Sequence, residues 1–413
     1  MTSGLCGGAA VGQTTAKTGA ATAMTTNDIT HVVLVGAGHA HVLVLESWAA
    51  NPPMNTRLTV VVDRPESTYS GMVPGFVAGD YRLAQTSIAV APLARRAGAE
   101  LVLRRAQRID PDQRILHLEG GLGGGAHLAY DIASLDVGSS IRGLELPGVR
   151  EHALATRPIG EFAARLDRRI EELARSGRAG VRVAVVGAGA AGVEIAFTLH
   201  ARLEHAGLRP VVVVACGAGG LLPGYSARVR RLVSREAAAR AITISATTDA
   251  SFADERGVGF ATGHLRADLV VWATGAATSD FIADSPLPHD PRGFVRVAST
   301  LAVRGHRGLF AAGDCAAIEG KAWVPKSGVH AVRAAPVLDA NLRATLAGSP
   351  LREFRPQRDF LSLLNLGGRR ALATKWGLAA AGRLPWIWKD RIDRAFVDRF
   401  RDAEGSPAPA DAR

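Results

Sequence analysis

"THVVLVGAGHAHVLVL", residues 30–45, reads as an apolar strand, a tight turn through Gly36 and Gly38, and the opening of a helix. That order is the entry to a dinucleotide-binding fold. The first glycine allows the turn and the second lets backbone approach a pyrophosphate. The helix N-terminus supplies free N–H groups and a partial positive charge. One letter departs from the GxGxxG pattern: His41 stands at the third glycine's place, with His39 just before it. The next strand, "RLTVVVDRPE", ends in Asp63, at the spacing of about 20 residues expected of a carboxylate that takes the adenosine ribose hydroxyls.

The pattern then returns. "VRVAVVGAGAAGVEIAFTLHARL", residues 181–203, carries a complete GxGxxG at Gly187, Gly189 and Gly192. Its following strand ends in Ala215-Cys216-Gly217, with no carboxylate where the ribose of NAD needs one. Arg228 or Arg230 would suit the 2′-phosphate of NADP, or would lie on a solvated helix face. An inert or repurposed second fold remains open. Glu194, near the start of the second helix, reads either as a complement to the helix dipole or as a group beside nicotinamide or flavin.

The 413 residues are 47% hydrophobic, with 46 glycines, which suits an Ala/Gly/Val-rich α/β protein of two or three domains. A net charge of +11 attracts anions, but no basic run interleaved with aromatics and no finger or zipper pattern appears, so a nucleic-acid role is not expected. Cys6, Cys216 and Cys315 are far apart. They form neither CxxC nor CxxxxC, no metal-ligand spacing is present, and a reducing, cytoplasmic setting is expected. Residues 1–28 lack the apolar core of a signal peptide and are expected to be disordered, with Met24 an alternative start. No stretch approaches the ~20 apolar residues of a membrane span.

Further segments fit a chain with two such folds. "YDIASLDVGSS" (130–140, with Gly138) resembles the strand and turn that close over FAD in two-dinucleotide-binding-domain flavoproteins. "ADLVVWATGAATS" (267–279, with Gly275) resembles the exit from their NAD domain. "GLFAAGDCAAI" (308–318) resembles their second FAD fingerprint, a buried strand with Gly313-Asp314 opening a helix. The resemblance narrows with "TYSGMVPGFVAGDY", "VPKSGVHAVRAAPVLDANLRATLAG" and "RRALATKWG…WIWKDRIDRAFVDRF". Over residues 30–402 the chain resembles pyridine-nucleotide-disulfide-type oxidoreductases found alone or fused ahead of selenophosphate synthetase. That group is similar in architecture to type II NADH dehydrogenases and sulfide:quinone reductases. Its first fingerprint also reads with histidines.

The resemblance implies an α/β fold with two Rossmann-like, glutathione-reductase-type domains, FAD bound non-covalently and NAD(P)H as co-substrate. Electrons would pass to a quinone or other small acceptor, with a link to selenium or sulfur metabolism. It places Asp314 at the ribityl chain of FAD. The expected division is a disordered extension over 1–28, an FAD domain over 29–155 and 296–350, and an NAD(P)-binding-like domain inserted at 156–295. A C-terminal interface or membrane-proximal region follows at 351–402, then a tail over 403–413. Sulfide:quinone chemistry through Cys315 and a non-turnover FAD-binding sensor or assembly factor are the alternatives.

Flavin chemistry asks for position and a positive partner near N1 more than for acids and bases. Lys326 is the candidate partner, along with the N-terminus of the helix that follows it. Tyr69, Ser70 and Gly71 are expected against the flavin or its phosphates. His39 and His41 would either donate to the pyrophosphate, deliver protons, or, for His41, fill the space a glycine leaves. His330 is a weaker proton donor. In "LPWIWKDRIDRAFVDRF", apolar residues at 387, 388, 392, 396, 397 and 400 mark one apolar helix face. It would serve a homodimer or cap a domain. Alternatively, with Trp386, Trp388, Lys389, Arg391 and Arg394, it would lie on an anionic membrane.

Overall fold

Runs of valine and leucine bounded by Gly turns make strands that are buried on both faces, as parallel sheets demand. In the computed structural model, which describes residues 29–120, 126–178, 180–246 and 248–401, Thr30–Val35 (β1) is such a strand, with Val32, Val33 and Leu34 fully buried. His39–Ala50 (α1) leads to Thr56–Val62 (β2), parallel to β1, and Ala99–Leu103 (β3) lies beyond β2. Ile132–Leu135 (β4) pairs on the other side of β1.

The chain then leaves this sheet and builds a second. Leu154–Ala155 (β5) and Ile159–Arg175 (α2) come first, and Gly180–Val186 (β6) runs into Ala190–His205 (α3). Arg209–Cys216 (β7), Thr243–Ala246 (β8) and Leu269–Trp272 (β9) complete a parallel sheet in the order β5-β9-β6-β7-β8. α2 covers it with Phe162, Leu166, Ile170 and Leu173, buried at helical spacing. Leu309–Ala311 (β10) returns to the first sheet beside β4, giving β10-β4-β1-β2-β3. Gly328–Leu346 (α4) packs on α1, fastened by Trp48 Nε1 and Ser47 Oγ, which donate to the two carboxylate oxygens of Asp339 at 2.6 and 2.7 Å.

In each sheet the strand order reverses beside the first strand of its fold, at β1/β4 and at β6/β9. Such a switch point opens a crevice at the carboxyl ends of the strands. The C-terminal region joins the two folds. Ser362–Asn365 (β11), Ala371–Lys375 (β12) and Leu378–Gly382 (β13) form an antiparallel sheet whose Leu364 and Leu372 enter the core of the second fold. Arg383–Asp398 (α5) puts Phe396 and Val397 into the core of the first. No helix among the described residues is long and apolar enough to cross a membrane. The expectations for residues 1–28, Met24, Cys6 and the tail over 403–413 lie outside the described residues.

Candidate functional site: one cleft between two glycine loops

Both crevices open into one continuous cleft of about 2480 Å³, against roughly 300–1,000 Å³ for a site that holds one drug-sized ligand. On the first fold Gly36 takes φ +87°, and a Cβ there would lie 2.5 Å from the carbonyl oxygen of Asp136. Gly38 caps α1 and lines the cleft with His39. Burial holds the His39 imidazole down at about 4, against a smaller upward pull from Asp314, so the ring is neutral. Its Nε2 lies 3.3 Å from Ser70 Oγ. Asp63, just past β2, lines the same wall, as do Tyr69, Ser70 and Gly71 in a short turn.

His41 does not. It is 0% exposed, and its Nδ1 and Nε2 lie 2.6 Å from the Gly36 carbonyl and 2.8 Å from Ser134 Oγ. The expectation that it meets the cofactor or moves protons is corrected. The imidazole stands under the loop, tying it to β4, and burial pushes its pKa down to about 4. It does by hydrogen bonding what the third glycine does by close approach.

Gly313-Asp314 follows β10, but it opens a single 3₁₀ turn and a short strand, Ala316–Ile318, instead of the expected helix. The helix starts only at Gly328, after the loop carrying Lys326. Asp314 lines the cleft and is held 2.7 Å from Arg157 Nη1. Arg157 is a cleft residue that no motif announced. Lys326 also lines the cleft, donates to the Ala316 carbonyl and sits over the Phe294 ring. Burial pulls its pKa down to about 8. Gly138 (φ +73°), Gly275 and His330 also line the cleft. Cys315 is 1% exposed and off the cleft. Its Sγ faces the carbonyls of Leu135 and Ala312, and burial raises its pKa to about 12. Those placements remove the thiol chemistry assigned to it. Cys216 is buried as well.

On the second fold Gly187 and Gly189 line the cleft. Gly192 packs instead, since a Cβ there would lie 1.9 Å from the Gly187 carbonyl. The carboxylate absent from the end of β7 comes from elsewhere. Asp249, on the loop after β8, brings Oδ1 to 3.2 Å from Ala218 N, next to Gly217. Sequence reading missed it because the loop is distant along the chain and adjacent only through the β7–β8 pairing. Arg228 and Arg230 lie off the cleft wall, and Arg230 donates to the Tyr225 carbonyl.

Glu194 reaches the cleft from α3. Its Oε1 accepts from Asn365 N at 2.8 Å, and burial raises the carboxyl to about 7 against the pull of Lys389. Lys389 itself corrects the reading of the C-terminal helix. Lys389 is 8% exposed, with its ammonium 2.8 Å from Asp393 and 2.7 Å from the Gly71 carbonyl, so it faces the cleft and no membrane. The apolar residues of α5 divide accordingly. Phe396, Val397 and Phe400 are buried, Ile392 lines the cleft, and Trp388 and Leu384 are exposed.

Comparison with known proteins agrees with this geometry. The demethylphylloquinone reductase of Synechocystis is 27% identical over 300 residues, 69% of this chain and 72% of that protein. A crystal structure of sulfide:quinone oxidoreductase from Aquifex aeolicus superposes with a TM-score of 0.75 at 18% identity, covering 90% of this chain and 91% of that one. The NDH2 of Plasmodium falciparum in complex with NADH superposes with a TM-score of 0.72 at 14% identity, covering 90% and 97%. Residues 30–335, from β1 into α4, match the pyridine nucleotide-disulphide oxidoreductase family, and with two glycine loops of that family's kind opening on one cleft, the chain belongs to it.

Proposed function

We propose that the protein is an FAD-dependent NAD(P)H oxidoreductase that hands electrons to a quinone. The observation that carries this reading is the single cleft joining the two glycine loops, which sets a dinucleotide on each fold within reach of the other. The residues fit FAD on the first fold. Gly36, Gly38 and Gly313 line the cleft beside the N-terminus of α1, Asp63 suits the adenosine ribose, and Arg157 offers a cation to the diphosphate. Bound there, FAD would supply the hydride-accepting N5 and the electron release of a second half-reaction.

The chain's own groups position and protonate. Asp314, oriented by Arg157, would receive the ribityl hydroxyls, and Lys326 would supply positive charge to the flavin. Asp249 takes the adenosine ribose of the nicotinamide cofactor and favours NADH. Glu194, raised to about 7 by burial and faced by Lys389, lines the cleft and would hold a proton there for the acceptor. The demethylphylloquinone reductase supports a quinone as acceptor.

A quinone is reached at a membrane surface. Leu378 of β13 and Leu384 and Trp388 of α5, between 51% and 78% exposed, are the apolar side chains that would lie on it, with Trp376, in the turn between β12 and β13, at the cleft. The expected homodimer would use the same face. Reduction by sulfide is the second reading, favoured by the superposition on sulfide:quinone oxidoreductase, but no thiol of the described residues lines the cleft. The selenium link rests on the sequence resemblance alone. Anaerobic titration of the flavin with NADH, NADPH and sulfide tests the proposal.

A further inference from the structure

The anion cradle at the start of α1 already holds an oxygen of the protein's own. Asp136, the residue after β4, is 3% exposed and lines the cleft at the switch point. Its Oδ2 accepts from Ala40 N at 2.8 Å and from His41 N at 3.1 Å, two of the N–H groups that a helix leaves for an anion. Its backbone carbonyl takes a third, Gly38 N, at 3.1 Å. Oδ1 lies between the two loops. A Cβ on Gly38 or on Gly313 would come within 2.3 Å of it. The glycines at 38 and 313 therefore make room for this carboxyl.

Two negative groups now compete for one place. The diphosphate of FAD carries two charges and belongs at this helix N-terminus, yet a carboxylate is built into it. Asp314 faces Asp136 from the turn after β10, with its own charge engaged by Arg157. From α1, His39 is neutral and His41 donates only its backbone N–H. Cys315 is protonated, and Lys326 lies beyond it. None of these neighbours donates a side-chain hydrogen bond to Oδ1.

We propose that Asp136 binds the FAD diphosphate as a neutral carboxylic acid. It keeps Oδ2 on the helix amides and donates from Oδ1 to a phosphate oxygen, so that FAD binding takes up one proton. This rests on the assignment of FAD to the first fold. Without cofactor, burial raises the carboxyl to about 7, ahead of the opposing pull of the two helix amides, so the proton comes on near neutrality. A second anion placed against Oδ1 raises it further. Binding is then tight below neutrality and weakens with pH. With the free group at about 7, linkage gives a dissociation constant about thirtyfold larger at pH 8.5 than at pH 6.

The test is the flavin retained by the diluted holoenzyme between pH 6 and 8.5, read from the fluorescence of released FAD. Calorimetry of FAD rebinding at pH 8, in two buffers of different ionisation enthalpy, gives the proton count. The native protein should lose affinity about thirtyfold across that range and take up close to one proton per FAD. Asp136→Asn keeps the shape and presents an amide donor, so it should bind at all pH values about as tightly as the native protein does at pH 6, with no proton uptake. Asp136→Ala, a second variant in case Asn folds poorly, should also show no slope. FAD binding that is independent of pH in the native protein, or a slope that survives in both variants, overturns the role of Asp136. Failure of native protein and variants alike to hold FAD at any pH overturns the FAD site itself, and the proposal with it.

Discussion

The ammonium of Lys389, on the C-terminal helix, donates to the carbonyl of Gly71, in the turn after the first fold's second strand, at 2.7 Å. One lysine thus fastens the last helix to the cleft, with Asp393 as its counter-ion at 2.8 Å. Asp393 is 4% exposed, and the Tyr69 hydroxyl also hydrogen-bonds to it.

Removing one partner of such a pair strands the other charge. Lys389→Met should destabilise the protein by about 3–5 kcal/mol in urea unfolding. Adding Asp393→Leu should recover most of that loss. A single variant as stable as the native protein would contradict the buried pair.

Glu194 gives stability a pH dependence whose sign is fixed by its raised pKa. The folded protein keeps this proton to about 7, whereas the unfolded chain releases it near 4.5. Between those values the folded state binds the more protons, so this group's stabilising contribution is full below pH 4.5 and is lost as pH rises through 7. Relative to Glu194→Gln, the native protein should lose about 2–3 kcal/mol between pH 5 and pH 8, measured by urea unfolding. A difference that is flat with pH would show the carboxyl to be ionised throughout.

Asp249 is proposed to take the adenosine ribose of NADH. Asp249→Ser should cut kcat/KM for NADH by about 10- to 100-fold, as loss of a charged hydrogen bond implies. NADPH should be affected little, so the ratio of the two coenzymes narrows in steady-state assays. An equal loss for both coenzymes would assign Asp249 to the loop's structure alone.

The outward apolar face makes a prediction separate from the chemistry. Trp388→Ser with Leu384→Ser should release the protein from anionic liposomes in sedimentation assays, while NADH reduction of the flavin is unchanged. If the variant still sediments with liposomes, the membrane assignment fails. A native dimer that dissociates in the variant would instead give the face to self-association.

Much of the frame was legible because it is local. β1, its turn and α1, and the repeat at Gly187, are spelled out by contiguous residues. Groups brought in by topology were not. Asp136 hides in a strand-and-turn motif whose glycine drew attention, and only the β1–β4 pairing puts its carboxyl on the α1 amides. Asp249 needs the β7–β8 pairing. Lys389 was read with the charged face of α5, because periodicity weighs lysine as solvent-seeking, whereas Asp393 one turn later gives it a buried partner. His41 was recognised as part of the loop, but its inward orientation depends on Ser134, distant along the chain.

Reducing equivalents are proposed to enter from a nicotinamide over the second fold. The most direct test is anaerobic stopped-flow mixing of the yellow holoenzyme with NADH, with NADPH and sulfide as parallel arms. NADH should bleach the flavin stoichiometrically and faster than NADPH, and a short-chain quinone should restore the colour. Bleaching by sulfide alone, or by none of the three, would contradict that route of entry.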